Sequence, residues 1–212
     1  MRIPSARPML LALAGVCAMA CVRVGQQQAQ PWRLFSLTPL PEPDAEPVAS
    51  TGSPGPMEAA IGVGPIRLPG YLDQDQLVTR ISGNSITLSD NDRWAEPLDD
   101  NIAQVLGHNL SILLRTDRVV LHPWSAGQQP TYQVEIEVLN FEADTAGTAH
   151  LAARWVLRDL ASRETMAEKE TRLTNSAAGG STEQSVASLS QALGDFSVEI
   201  AKVIRETVQP GP

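Results

Sequence analysis

Cysteine is nearly absent from this chain: Cys17 and Cys21 are the only two in 212 residues, and both stand near the amino terminus. Removal of a leader ending at residue 20 leaves one thiol, so no internal disulfide holds the remainder together. Positive charge is also scarce, with 16 Lys+Arg against 24 Asp+Glu and a formal charge of −8. Nonspecific nucleic-acid binding needs the opposite balance, and no basic cluster supplies it locally. The three histidines, His108, His122 and His150, are far apart and match no metal pattern such as HExxH. No serine sits in a GxSxG elbow. Gly62, Gly64 and Gly70 imitate a phosphate loop only loosely, because Pro65 and Arg67 intervene. The pairs Asp73/Asp75, Asp90/Asp92 and Asp99/Asp100 fit turns and a helix start. These absences argue against an enzyme, a metal site and a bound cofactor. A periplasmic hydrolase using scattered Asp and His residues is the rival class.

The amino terminus has the layout of a signal peptide. Arg2 and Arg7 precede an apolar run from Met9 to Ala20, too short to span a bilayer, and Cys21 follows. Ala20 is small, as lipoprotein processing requires before the acylated cysteine, whereas Val16 before Cys17 is bulky. Cys21 is therefore the expected lipidation site and residues 1–20 the signal peptide; an ordinary secretory signal cut near Ala20 is the alternative. Residues 21–31 are Gln-rich and read as a membrane tether, and residues 32–38 as a first strand. Residues 39–57 hold six prolines with Gly52 and Gly55, a composition that reads as a flexible loop. Residues 58–209 are left as one domain.

Within that domain, the stretch from Ile61 to Leu114 organises the rest. Ile61, Val63 and Ile66 are β-formers interrupted by glycine and Pro65, which predicts a strand that bulges or ends near Pro65. Leu68-Pro69-Gly70-Tyr71 then forms a turn that carries two large apolar groups beside Arg67. Such a turn either faces a partner or subunit, through Arg67, Leu68, Pro69 and Tyr71, or caps the core. Leu77–Ile81 and Ser85–Leu88 flank Gly83-Asn84 as a hairpin. Pro97 suits the first helical position, Asp99 and Asp100 the first turn. Leu98, Ile102, Val105, Leu106, Leu110, Leu113 and Leu114 recur at helical spacing and predict a core-facing helix.

Downstream, Arg118–His122 reads as a short strand ended by Pro123. Tyr132–Phe141 alternates until Val138 and then slips phase, which predicts a β-bulge. Ala149 to Leu157 alternate cleanly, and Arg163–Leu173 is polar on both faces, as an edge strand would be. Ser181 and Gln184 are spaced as a capping box. The stripe from Val186 to Val208 behind them either packs on the sheet or also meets a neighbouring subunit. Two main helices with six or seven strands give an α/β fold: a single domain with a mixed, largely antiparallel sheet.

The blocks GPIRLPGYLDQDQLVTR, WAEPL with its helix, HPW, FEAD and ARWVLRD, in this order and at these distances, resemble the PqiC-like (YmbA-like) ABC-type transport auxiliary lipoproteins over most of residues 32–206. The resemblance implies a non-catalytic lipoprotein anchored in the outer membrane and facing the periplasm. It also implies an MCE-type periplasmic or inner-membrane transport partner, phospholipid as the candidate cargo, and assembly as a homo-oligomeric ring. Val22 agrees with outer-membrane sorting, since it lacks the aspartate of inner-membrane retention.

Overall fold

The computed structural model describes residues 31–42, 55–176 and 179–208, all within one compact unit, Pro31–Pro212. The expected signal peptide, the expected lipidation site Cys21 and most of the proline-rich segment lie outside the described residues. Eight strands form one sheet: β1 (Arg33–Phe35), β2 (Ile61–Arg67), β3 (Gln76–Ser82), β4 (Ser85–Trp94), β5 (Val119–Leu121), β6 (Tyr132–Asp144), β7 (Thr148–Asp159) and β8 (Thr165–Ser176). Two helices, α1 (Leu98–Leu114) and α2 (Thr182–Thr207), complete the fold, and among the described residues no helix is long and apolar enough to cross a membrane.

The meander β6–β7–β8 is antiparallel and carries the longest ladders. Val134, Ile136 and Val138 pair with Leu157, Trp155 and Ala153, and the register then shifts at Leu139. That bulge returns Phe141 and Ala143 to the same buried face, opposite Leu151 and Ala149. Onto this face packs α2, whose Val186, Leu189, Leu193, Phe196 and Ile200 are all buried. Each such side chain contributes roughly 1.5–3 kcal/mol on leaving water. Trp155 is buried with its indole N–H satisfied, 3.0 Å from Thr171 Oγ1.

Local chemistry places the element ends. The capping box is formed: Ser181 Oγ accepts from the Gln184 amide at 3.3 Å, and Gln184 Oε1 accepts from the Ser181 amide at 3.1 Å. Gly147 in the β6–β7 turn has φ +82°, and a Cβ there would lie 2.2 Å from the Gly179 carbonyl oxygen. The turn thereby fits beneath the segment that leads into α2.

Three expectations shift. Among the described residues the sheet has eight strands rather than six or seven: the short segments expected at 32–38 and at Arg118–His122 both form strands, three residues each, and both join it in parallel pairings. Pro97 is the N-cap, with ψ 133°, and the helix begins one residue later at Leu98. Finally, β4 does not stop at Leu88: after an irregularity it continues to Trp94, where it pairs with β1.

Candidate interaction surface

Strand β6 has β7 along one edge, so β2 and β3 share the other: β2 beside Tyr132–Glu137 and β3 beside Ala143–Asp144. Between them the edge is unpaired, and this is where the bulge at Leu139 lies. The segment linking β2 to β3, residues 68–75, closes that gap. Its Tyr71 hydroxyl donates to Glu142 Oε2 at 2.8 Å and stands 3.4 Å from the Leu139 carbonyl oxygen.

Glu142 is a fully buried carboxylate. Its Oε1 accepts from Arg80 Nε at 2.6 Å and Asn140 Nδ2 at 3.0 Å; its Oε2 accepts from Tyr71 and from the Phe141 amide at 3.0 Å. A buried charge is tolerable only when its lone pairs and countercharge are supplied in this way. Burial, then the hydrogen bond to Glu142, pushes the Tyr71 phenol above its usual range, so it stays a donor. Leu68 and Tyr71 are half-buried against the core, Pro69 is half-buried, and Arg67 and Gly70 are exposed. The four turn residues singled out from sequence thus divide into an inward anchor, Tyr71, and an outward rim led by Arg67.

A second polar cluster ties the amino-terminal strand to both helices. Arg33 Nε donates to Asp92 Oδ1 at 2.7 Å, its Nη1 to Glu183 Oε1 at 2.7 Å, and the Thr182 hydroxyl donates to Asp92 Oδ2 at 2.8 Å. The Arg33 guanidinium holds the Asp92 carboxyl below its ordinary range against the opposing effect of burial, with the Thr182 and Ser89 hydroxyls assisting. Beyond β1, the amides of Leu37 and Leu40 donate to the side-chain oxygens of Asn101 and Asn109, and that of Thr38 to Ser190 Oγ. Asn109 is fully buried, and its amide nitrogen donates to Ser197 Oγ at 2.9 Å, joining α1 to α2.

Sequence reasoning missed Glu142, Asn101 and Asn109, and it treated Asp92 as a turn residue. Glu142 had a signal in the FEAD block, but nothing in the block shows burial.

The groups tested for chemistry are dispersed or already engaged. His108 is on α1, His150 is on β7, and His122 packs edge-on to Trp124. No group of three or more His, Cys, Asp or Glu side chains gathers among the described residues. A cleft of about 240 Å³ opens between the β3–β4 hairpin and the start of α2, floored by Leu72, Leu77, Phe141 and Leu189. Its two carboxylates are already held: Asp92 by Arg33, and Asp144 by the amides of Ala146 and Thr148.

Residues 36–201 match the family of the ABC-type transport auxiliary lipoprotein component. No curated protein matches the chain. Among solved structures, an uncharacterized protein is similar at 20% identity, with 82% of this chain and 99% of that one covered and a TM-score of 0.65. A protein from Xanthomonas campestris is similar at 17% identity, with 80% and 92% covered and a TM-score of 0.63. At these identities the likeness shows the fold alone.

Proposed function

We propose, on the premise that this chain belongs to the family of ABC-type transport auxiliary lipoprotein components, that it is a non-catalytic outer-membrane lipoprotein serving an MCE-type transport system. Acylated at Cys21 and facing the periplasm, it docks the periplasmic or inner-membrane transport protein and helps to carry phospholipid between the membranes, maintaining the envelope. The observation that carries this reading is the reach of the family match, residues 36–201, which takes in every strand from β2 to β8, all of α1 and most of α2.

The docking contact is assigned to the LPGY turn. Arg67 is exposed at its rim with Leu68 and Pro69 half-buried beside it, and Tyr71 holds the turn from beneath through Glu142. Rigid seating of a small apolar surface lowers the ordering cost of binding. Copies of the domain assemble head to tail into a closed ring of roughly six to ten subunits, since heterologous contacts that close give cyclic assemblies.

Crosslinking of the membrane-anchored protein, followed by mass spectrometry of the captured partners, tests the function. An MCE-type transport protein captured by wild type, with capture weakened by Leu68→Asp, is the expected result. Capture unaffected by Leu68→Asp removes the turn, and absence of any transport component removes the proposal. Light scattering on the domain lacking Cys21 checks the ring, which a monomer at micromolar concentration would rule out.

A further inference from the structure

Among the described residues, an exposed apolar surface lies at the opposite edge of the sheet from β8, where β1 pairs with β4. Trp32 and Leu34 are 70% and 65% exposed, and Ile86 and Leu88 are 38% and 40% exposed. Register places them together on the side turned away from the helices. Arg33 and Asp92 pair and reach Thr182 on α2, so their neighbours Leu34 and Arg93, also paired, point the opposite way. On β4, Thr87 and Ser89 line the cleft against α2, which turns Ile86 and Leu88 outward.

This face is fixed in place. The Arg93 guanidinium donates to the carbonyl oxygens of Ser89, Asp90 and Asp92, bracing the β4 irregularity, and lies 5.5 Å from the centre of the Trp32 ring. Trp32 therefore rests on a cation that is held by the backbone. Strand addition by another chain is a poor use of this edge. Only three residues of β1 are extended, and the amides of Leu37, Thr38 and Leu40 are already taken by Asn101, Ser190 and Asn109.

We infer that the outward face of β1 and β4, with Trp32, Leu34, Ile86 and Leu88, seats on the phospholipid surface to which the chain is anchored. The inference rests on the lipoprotein reading. Both cysteines of the sequence precede Trp32, so whichever is acylated, the chain leaves the bilayer and enters the fold at this edge. From Cys21 to Trp32 an extended chain spans at most about 40 Å, which keeps the face within reach of the headgroups. Its chemistry fits that zone: a tryptophan with apolar body and polar N–H, aliphatic neighbours, and an arginine below the ring. Asp90 is an exposed acid on the same stretch of β4, between Leu88 and Arg93.

The test uses the full acylated protein in vesicles of phosphatidylethanolamine with a minority of phosphatidylglycerol, whose acyl chains carry bromine, a contact quencher of tryptophan fluorescence. Trp94 and Trp155 are buried and Trp124 is half-buried beside His122, so the quenching that is lost in Trp32→Phe reports Trp32 itself. The expected result is quenching that disappears in Trp32→Phe and is more than roughly twofold weaker in Leu34→Asp/Leu88→Asp, where charge replaces apolar contact. Quenching of equal size in wild type and Trp32→Phe overturns the inference. So does an unquenched Trp32 combined with a change in assembly mass in Leu34→Asp/Leu88→Asp, which would make this face a subunit contact. The mass of the amino-terminal peptide separates the two levels of failure. An unmodified cysteine defeats the lipoprotein reading itself, whereas an acylated, vesicle-bound protein with an unquenched Trp32 defeats the seating face alone. Should the double variant fail to fold, Trp32→Phe still decides.

Discussion

The LPGY turn and the β1–β4 edge each carry large apolar side chains outside a helix, yet they use them in opposite directions. The turn reads as a docking surface because turns are usually polar, but its Tyr71 points inward to a buried carboxylate. The WRLF segment reads as a first strand, and in it Trp32 and Leu34 face solvent while Arg33 takes the inner side. Residue type is the same in both places. Direction is set by what crosses the strand: residues 68–75 cover β6 at its bulge, and nothing among the described residues covers β1 on its outward side.

The comparison breaks most sharply at the inward site. Arg80→Met leaves Glu142 buried without its countercharge, and loss of one partner of such a pair costs about 3 kcal/mol. In a domain of this size that lowers the midpoint of thermal unfolding by roughly 6–12 °C. A change of only a degree or two would mean that Glu142 reaches water and that the turn does not seal it.

Tyr71→Phe keeps the ring and removes one donor to the same carboxylate, at a cost of about 2 kcal/mol. Its signature is alkaline. The folded-state phenol is raised above its ordinary value, so its contribution is full below about pH 10 and lost as pH rises beyond that. Wild type should therefore lose its advantage over Tyr71→Phe in denaturant titrations above that pH. A constant difference across the range would place the hydroxyl outside the network.

Much of the fold was legible because periodicity survives in the long elements. The α1 stripe, the α2 stripe with its capping box, the Val138 phase slip and the polar edge of β8 are all local patterns, and the structure contains each of them. Burial of polar groups was not legible. Only with the phase slip at Leu139 does alternation turn Glu142 to the face opposite Phe141, and what buries it there is a crossing segment some seventy residues earlier in the chain. Asn101 and Asn109 look like ordinary polar interruptions of a helix until the amides of Leu37 and Leu40 arrive to use them. Parallel pairing of β1 with β4 is likewise a long-range choice that neither strand's composition specifies.

At the outward site the same kinds of change should matter less. Asp92→Asn weakens the hold of Arg33 on α2, a partly solvated pair, so its effect falls below that of Tyr71→Phe. The pH dependence runs the other way. Asp92 is depressed by Arg33, so its contribution is present above about pH 4, the ordinary carboxylate range, and is lost as pH falls through it. Stability differences between wild type and Asp92→Asn should narrow in acid while those for Tyr71→Phe persist.

The smallest effect on folding is expected where the membrane face would show its largest. Leu34 is 65% exposed on an edge strand and contributes little to the core, so Leu34→Asp should change stability by no more than about 0.5 kcal/mol. Its neighbours Arg33 and Phe35 face the helix side, and their packing is untouched by a substitution on the opposite face. Urea unfolding of the domain lacking Cys21 measures this without a membrane. A loss comparable to Arg80→Met would mean that Leu34 is covered in solution, by another copy or by residues of this chain outside those described, and the contrast between an inward turn and an outward strand would fail.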